Sequence, residues 1–143
     1  IDAIVSDFIS GAVEWLSPDN NENHWDIIEG QGSLLHPSFA GVSLGLLHGS
    51  QPDAFLVCHE PTRKKMRGVE TPVPSIKEII HLTLSLGSLT NKKIQCVGVA
   101  LNTSEMNEDP KILKEKISNE FGLPCLDPIV DNLEPFVNLI KKI

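Results

Sequence analysis

Short apolar segments that alternate with amphipathic segments limit the folds open to this chain more than any other feature. Apolar runs typical of strands occupy residues 3–6, 25–28, 53–58, 94–101 and 123–126. Apolar residues at helical spacing predict helices at 9–16, 37–48, 76–84, 110–121 and 133–140. Neighbouring parallel strands need crossover connections, so the alternation predicts an α/β fold of three layers, a mostly parallel sheet with helices on both faces.

Local signals place the ends of two of these helices. Ser75 and Glu78 are spaced as a capping box, and one apolar face continues along the helix that follows. Asp109 followed by Pro110 is typical of a helix start, and Gly122 is typical of a helix end.

The length and composition predict one domain. The chain has 143 residues, of which 41% are hydrophobic and 22% are charged. A chain of this size can bury a core, so we expect a single α/β domain over residues 1–143. It begins at Ile1 rather than Met, immediately before a predicted strand, which suggests a fragment of a longer chain.

Charge and cysteine content exclude several classes of partner. A net charge of −7 and a pI near 5.1 argue against nucleic acid or an anionic membrane as the main partner, since both attract basic surfaces. No apolar run is long enough to span a bilayer, and no secretory leader is visible. Cys58, Cys96 and Cys125 are odd in number and lack C-x-x-C spacing, which favours reduced thiols in the cytoplasm.

Residues 26–36 form the strongest candidate for a site, because a predicted strand runs into an acid and a double-glycine turn. Asp7 and Glu29 both follow predicted strands, and the carboxyl ends of parallel strands share one edge of a sheet. Two carboxylates there would suit Mg²⁺ beside a phosphate. Alternatively, each carboxylate caps the turn or helix that follows it.

The turn itself consists of Gly30, Gln31, Gly32 and Ser33, whose backbone N–H groups could face an anion as a nest. It does not complete G-x-G-x-x-G, because Leu35 takes the last glycine position, and no G-x-x-x-x-G-K-[ST] occurs in the chain. The sequence therefore gives no support for NAD binding, and an ordinary tight turn remains the alternative.

The predicted helix at 37–48 carries glycine at every fourth position, at Gly41, Gly45 and Gly49. This stripe predicts close packing against a sheet or a partner subunit, and so a homo-oligomer. His36 and His48 flank the same helix, and each is either a catalyst or a histidine that only makes hydrogen bonds.

A basic loop follows the predicted strand at 53–58. His59 precedes it, and it contains Arg63, Lys64, Lys65 and Arg67. These side chains could hold a phosphate, a carboxylate or coenzyme A, for which the planar fork of arginine is suited. They could also be solvated without a ligand.

Four stretches together resemble the C-terminal half of the DgcN-like family, formerly a domain of unknown function and sometimes labelled a putative NAD-dependent epimerase/dehydratase. They are DAIVSDFISGAVE at 2–14, EGQGSLLHP at 29–37, GLLHGSQPD at 45–53 and VGVALNT at 97–103. The resemblance implies a P-loop NTPase-like domain similar to dethiobiotin synthetase, preceded by a Rossmann-like domain. It also implies D-glutamate N-acetyltransferase activity with acetyl-CoA.

The resemblance also implies roles for individual residues. Glu29 and Gly30 would lie beside Mg²⁺ and a nucleotide phosphate, with Asp7 near the same metal, and Asn102 would meet a purine base. The phosphate-binding loop and its lysine would lie upstream of Ile1. This chain would then need its own N-terminal segment to complete any nucleotide site.

Three functions follow as expectations. The first is part of a cytoplasmic N-acyltransferase acting on an amino acid such as D-glutamate, with Glu29, Asp7 and the 30–36 turn shaping the site. His36, His48 or His59 would then take the amine proton. The second is a ligase or hydrolase that uses Mg-ATP or Mg-GTP. The third is a structural domain that makes an oligomer interface.

Overall fold

The computed structural model of the chain describes residues 3–30 and 33–143. The helices are a 3₁₀ turn at Ser6–Phe8, α1 (Ile9–Leu16), α2 (Ala40–Ser50), α3 (Ile76–Gly87), α4 (Pro110–Phe121) and α5 (Glu134–Ile140), and the strands are β1 (Ala54–His59), β2 (Gln95–Leu101) and β3 (Cys125–Leu126). The chain divides into two compact units. The first runs to Pro52 and includes His81–Ile94, and the second comprises Asp53–Ile80 and Gln95–Ile143.

The sheet lies in the second unit and is parallel throughout. Its strand order is β1-β2-β3, with Val57 opposite Val99 and Val99 opposite Cys125. One register shift interrupts the first ladder between Phe55 and Leu56. The predicted strands at 53–58, 94–101 and 123–126 are confirmed, because each finds a backbone partner in the sheet.

One face of the sheet carries the core of the second unit. Val99 is 0% exposed and Leu101 is 1% exposed. They pack with Ile76 of α3 and Ile117 of α4. Val99 and Leu101 are two positions apart on β2, so their side chains share one face of the sheet and point into this core.

Helix α5 covers the opposite face at Gly98. A Cβ at this position would lie 2.4 Å from the ring of Phe136, and Gly98 has φ of +155°, so only glycine lets the helix approach this closely. Phe136 is buried as a result. Helices therefore lie on both sides of the parallel sheet, which confirms the predicted α/β class.

The predicted helix ends are also confirmed. The Ser75 hydroxyl accepts a hydrogen bond from the Glu78 N–H at 3.2 Å, and the Glu78 carboxylate accepts one from the Ser75 N–H at 2.8 Å. Asp109 caps α4 by accepting from the Lys111 N–H at 2.9 Å. Gly122 ends α4 with φ of +65°.

In the first unit, α1 packs against the glycine stripe of α2. A Cβ at Gly45 would lie 2.5 Å from Cγ2 of Ile9, and one at Gly49 would lie 2.3 Å from the Ser10 carbonyl oxygen. The stripe therefore serves helix packing within the chain, whereas we expected it to face a sheet or a partner subunit. Gly41 has no atom within 4 Å of its Cβ position and takes no part in this contact.

The predicted strands at 3–6 and 25–28 are wrong. Residues 3–5 form a turn before the 3₁₀ helix, and residues 24–30 are irregular. Val5 is 67% exposed and Ile27 is 97% exposed. A strand needs a neighbouring backbone, and within residues 3–30 and 33–143 neither segment finds one. No described helix has the length and apolarity needed to cross a membrane.

Candidate functional site

The three strands end at one edge of the sheet, and hydrogen bonds link these ends. The Asn102 N–H, just after β2, donates to the carbonyl of His59 at 2.9 Å. The Thr103 N–H donates to the carboxylate of Asp127, just after β3, at 3.1 Å, and the Thr103 hydroxyl donates to the same oxygen. The ends of β1, β2 and β3 are thus held together through four residues.

A second acid and a lysine extend this arrangement. The carboxylate of Asp131 accepts from the Asp127 N–H at 2.7 Å and from Nζ of Lys114, on α4, at 2.8 and 2.7 Å. Asp127 is only 4% exposed, and its other oxygen accepts from the Ile129 N–H at 2.9 Å. We call Asp127, Thr103, Asp131 and Lys114 the carboxyl-edge network.

The network keeps both acids ionised. The Thr103 hydroxyl bond is the main reason that the pKa of Asp127 lies below its ordinary value. Lys114 is the main reason that the pKa of Asp131 is lowered. Charged acceptors make stronger hydrogen bonds than neutral ones, so these contacts stabilise the edge at neutral pH.

An open cleft of about 410 Å³ lies beside this edge, within the second unit. Its lining comes from the segment after β1, the start of α3 and one side of α4: His59, Pro61, Arg63, Val73, Pro74, Ser75, Ile76, Lys77, Leu113, Lys116, Ile117, Glu120 and Phe121. A concave site beyond the carboxyl ends of parallel strands is the usual place for a ligand in such folds.

Among the residues that line the cleft, His59 is the best candidate for proton transfer. Partial burial lowers the pKa of its imidazole, and the neighbouring Glu60 carboxylate opposes this effect without cancelling it. The ring is therefore neutral at pH 7 and can accept a proton. Glu60 itself pairs with Arg63, which places one member of the predicted basic loop at the cleft.

The other two candidate histidines, His36 and His48, make hydrogen bonds to the backbone of the first unit. His36 is 5% exposed, its Nδ1 accepts from the Ser38 N–H at 3.1 Å, and its ring centroid lies 4.6 Å from that of Phe39. His48 donates from Nε2 to the Leu86 carbonyl at 3.0 Å. Each ring nitrogen named here has a backbone partner within the first unit, and a catalytic role for either histidine stays a prediction.

The residues expected around the 26–36 turn do not lie at strand ends. Asp7 is exposed within the 3₁₀ helix, and Glu29 is exposed in an irregular segment with Gly30. Their expected placement at the carboxyl ends of two strands is therefore wrong, because those strands do not form. Ser33 accepts a hydrogen bond from the Leu35 N–H through its hydroxyl at 3.0 Å. Gln31 and Gly32 lie outside the described residues.

The metal role of Asp7 and Glu29 stays a prediction. Across residues 3–30 and 33–143, no three or more His, Cys, Asp or Glu side chains are grouped in a way that could hold a metal ion. Two carboxylates can still bind Mg²⁺ when substrate phosphates supply the remaining ligands.

Asn102 and Arg67 complete the predicted contacts, and only Asn102 lies at the edge of the sheet. Asn102 is exposed just after β2, and its side-chain oxygen accepts from the Ser104 N–H at 3.1 Å. Arg67 is exposed and does not line the cleft. Lys65 pairs with Glu70 within the loop. Of the four basic loop residues, only Arg63 lines the cleft.

Sequence reasoning missed Asp127 and the α4 side of the cleft. Asp127 follows a predicted strand in the same way as Asp7, so its position in the sequence carries the same signal. Lys116 lies far from His59 in the chain, and no local pattern connects them. Only the packing of α3 and α4 on one sheet face brings these residues together.

Comparisons with known proteins agree with this architecture. Residues 1–137 match the model of a domain of unknown function described as the DUF1611 C-terminal P-loop domain. A crystal structure of a DUF1611 family protein from Anabaena variabilis matches 99% of the chain with a TM-score of 0.84 and 32% identity, over 43% of that protein.

Two curated relatives are named D-glutamate N-acetyltransferase. One, from a Pseudoalteromonas species, is 54% identical over 96% of the chain. The other, from Tritonibacter scottomollicae, is 47% identical over 90%. The chain spans 42% and 39% of the lengths of these relatives. The chain thus belongs to the DUF1611 family, and residues 1–137 match the P-loop domain of that family.

Proposed function

We propose that the protein carrying this chain transfers an acetyl group from acetyl-CoA to the amino group of a D-amino acid such as D-glutamate. The observation that carries the proposal is the 54% identity, over 96% of the chain, to a relative named D-glutamate N-acetyltransferase. The cleft beside the strand ends supports it, because it contains a histidine suited to proton transfer.

The reaction defines what the site must do. The amino nitrogen loses a proton and attacks the thioester carbonyl, which forms an N–C bond. The C–S bond then breaks, and its electron pair leaves on sulfur as the CoA thiolate. The protons released by the nitrogen must reach a base, and one of them returns to the thiolate.

His59 is suited to this proton transfer. Its pKa is lowered by burial, so the imidazole is neutral at pH 7 and takes up a proton when the amine attacks. The protonated ring can then return that proton to the thiolate. His59 lines the cleft, whereas His36 and His48 are engaged in structural contacts.

The carboxyl-edge network would hold His59 in place. The carbonyl of His59 accepts from Asn102, and the next residue, Thr103, is fixed by Asp127. Asp127 is therefore a positioning residue for the end of β1. A misplaced base loses much of its catalytic effect even when it is present.

A Mg-nucleotide-dependent ligase or hydrolase is the second candidate, favoured by the P-loop description of the matching family model. Asp7, Glu29 and Gly30 would contact the metal and phosphates in that case, and Asn102 a purine. The described residues do not bring Asp7 and Glu29 to strand ends, and the chain lacks G-x-x-x-x-G-K-[ST].

The test is a direct assay of the natural protein with acetyl-CoA and either D- or L-glutamate, with both products separated by chromatography. We expect N-acetyl-D-glutamate and free CoA in equal amounts, and much less product from L-glutamate. Calorimetry with Mg-ATP and Mg-GTP runs beside it. Nucleotide binding without acetyl transfer would contradict the proposal and would favour the Mg-nucleotide-dependent ligase or hydrolase.

A further inference from the structure

The cleft has an apolar floor. Val73, Pro74 and Leu113 are half-buried there, and Ile76 and Ile117 are 9% and 7% exposed. Ile76 and Ile117 belong to the core of the second unit and Leu113 packs against it, so this part of the floor is preformed. Seven of the thirteen lining residues are apolar, and apolar lining that carries placed polar groups is typical of small-molecule sites.

The rim of the cleft is cationic. Lys77 at the start of α3 and Lys116 on α4 are both exposed and line the cleft. Among the described residues, no ion pair engages either ammonium group, whereas Arg63 is paired with Glu60. Glu120 also lines the cleft, one helical turn after Lys116, and reduces the net positive charge.

The two proposed substrates differ in how they match these surfaces. D-Glutamate carries two carboxylates on a short chain, and an apolar floor would desolvate them without supplying hydrogen bonds. The pantetheine arm of acetyl-CoA is long and uncharged, with methylene and methyl groups, and the phosphates follow at its far end. An apolar floor with a lysine rim matches the second ligand.

We propose that this cleft binds acetyl-CoA, with the pantetheine arm on the floor formed by Val73, Ile76, Leu113 and Ile117. Lys77 and Lys116 meet its phosphates, and its thioester end lies at His59. This inference rests on the proposed function and assigns one of its two substrates to a place. The amino acid then approaches His59 from outside the apolar floor.

The first experiment measures both Michaelis constants in a Lys77→Ala/Lys116→Ala variant of the natural protein. We expect KM for acetyl-CoA to rise about tenfold or more, because two charge-assisted contacts are lost. KM for D-glutamate should change less than about twofold. Lys111→Ala is the matched control, since Lys111 is exposed on α4 but does not line the cleft.

The second experiment separates the floor from the rim by calorimetry. CoA should bind the lysine variant about tenfold more weakly than wild type, while pantetheine, which lacks the phosphates, should bind both proteins equally. Val73→Gln should weaken both ligands, with circular dichroism confirming the fold.

The outcomes separate this inference from the proposed function. A rise in KM for D-glutamate alone would show that the cleft binds the acetyl acceptor. No change in either KM would show that neither substrate contacts these lysines in the cleft. Either result overturns the inference while acetyl transfer by the wild type still stands. Wild type that neither transfers acetyl groups nor binds CoA overturns both.

Discussion

The two units of this protein use similar apolar sequences to different effect. In the second unit, every strand has a parallel partner, and Val99 and Leu101 are 0% and 1% exposed. In the first unit, Trp15 is 81% exposed and Ile27 is 97% exposed. The contrast teaches that an apolar segment becomes a strand only when a neighbouring backbone satisfies its N–H and C=O groups.

The same contrast applies to the acids. Asp127 follows a strand that forms, and its carboxylate is fixed by three N–H or O–H donors named above. Asp7 and Glu29 follow segments that do not form strands, and both are exposed. Side chains at a paired strand end are positioned for chemistry, which is why the second unit carries our candidate site.

The largest expected effect compares one apolar residue from each unit. Leu101→Ala removes a side chain from the core and should lower the free energy of unfolding by about 2–5 kcal/mol. Ile27→Ala removes an exposed side chain and should change it by less than about 0.5 kcal/mol. Urea unfolding of both variants measures the difference, and equal losses would show that residue 27 is buried in solution.

The next effect tests the carboxyl-edge network. Asp127→Ala leaves the Thr103 N–H and hydroxyl without their acceptor and should cost about 1–3 kcal/mol of unfolding free energy. Asp26→Ala, at an exposed acid of the first unit, is the control and should be nearly neutral. A cost for Asp127→Ala no larger than that of the control would mean that the network does not stabilise the edge.

The network also predicts a pH dependence. The pKa values of Asp127 and Asp131 are lowered from 3.8, so the folded state binds fewer protons than the unfolded state. Their contribution to stability is present above about pH 4 and is lost as the pH falls below that value. Acid unfolding of Asp131→Asn should show a smaller dependence in this range, and an unchanged dependence would contradict the assignment.

Glycine substitutions test whether the first unit has a tight contact of its own. Gly49→Ala places a Cβ 2.3 Å from the Ser10 carbonyl and should destabilise by about 1–3 kcal/mol. Gly41→Ala meets no atom within 4 Å and should stabilise α2 by about 0.5–1 kcal/mol. Thermal unfolding measures both effects. A Gly49→Ala variant as stable as wild type would show that α1 does not pack tightly against α2 at this position.

The smallest effect concerns a helix end in the second unit. Ser75→Ala removes the cap of α3 and should cost about 1 kcal/mol. Ser75→Asp retains an acceptor for the Glu78 N–H and serves as the control. A full loss with Ser75→Asp would indicate that the hydroxyl bond to the Glu78 carboxylate, rather than the cap itself, stabilises this end.

Local interactions explain which parts were predictable. The capping box at Ser75, the cap at Asp109 and the stop at Gly122 each involve residues close in sequence, so the start of α3 and both ends of α4 were predictable. The strands at 3–6 and 25–28 were mispredicted, because pairing depends on residues remote in sequence. An apolar pattern indicates only that burial of the segment is favourable, and it does not show whether a neighbouring strand is present.

The candidate site was predictable in part for the same reason. His59 and Arg63 follow a strand that forms, so strand-end reasoning placed them correctly at the sheet edge. His36 and His48 looked equivalent to His59 in sequence, and only their contacts with Ser38 and Leu86 distinguish them. Lys77 and Lys116 line the same cleft only because α4 packs beside α3, and no spacing in the sequence predicts this packing.

The most direct test of the central claim compares two histidine substitutions by their effect on kcat for acetyl transfer in the natural protein. His59→Gln should lower kcat by about 10²–10⁴-fold with the fold intact, because the proton acceptor is lost. His81→Gln, at an exposed residue of α3 outside the cleft, should retain kcat within about twofold. A folded His59→Gln variant with wild-type kcat would contradict the account.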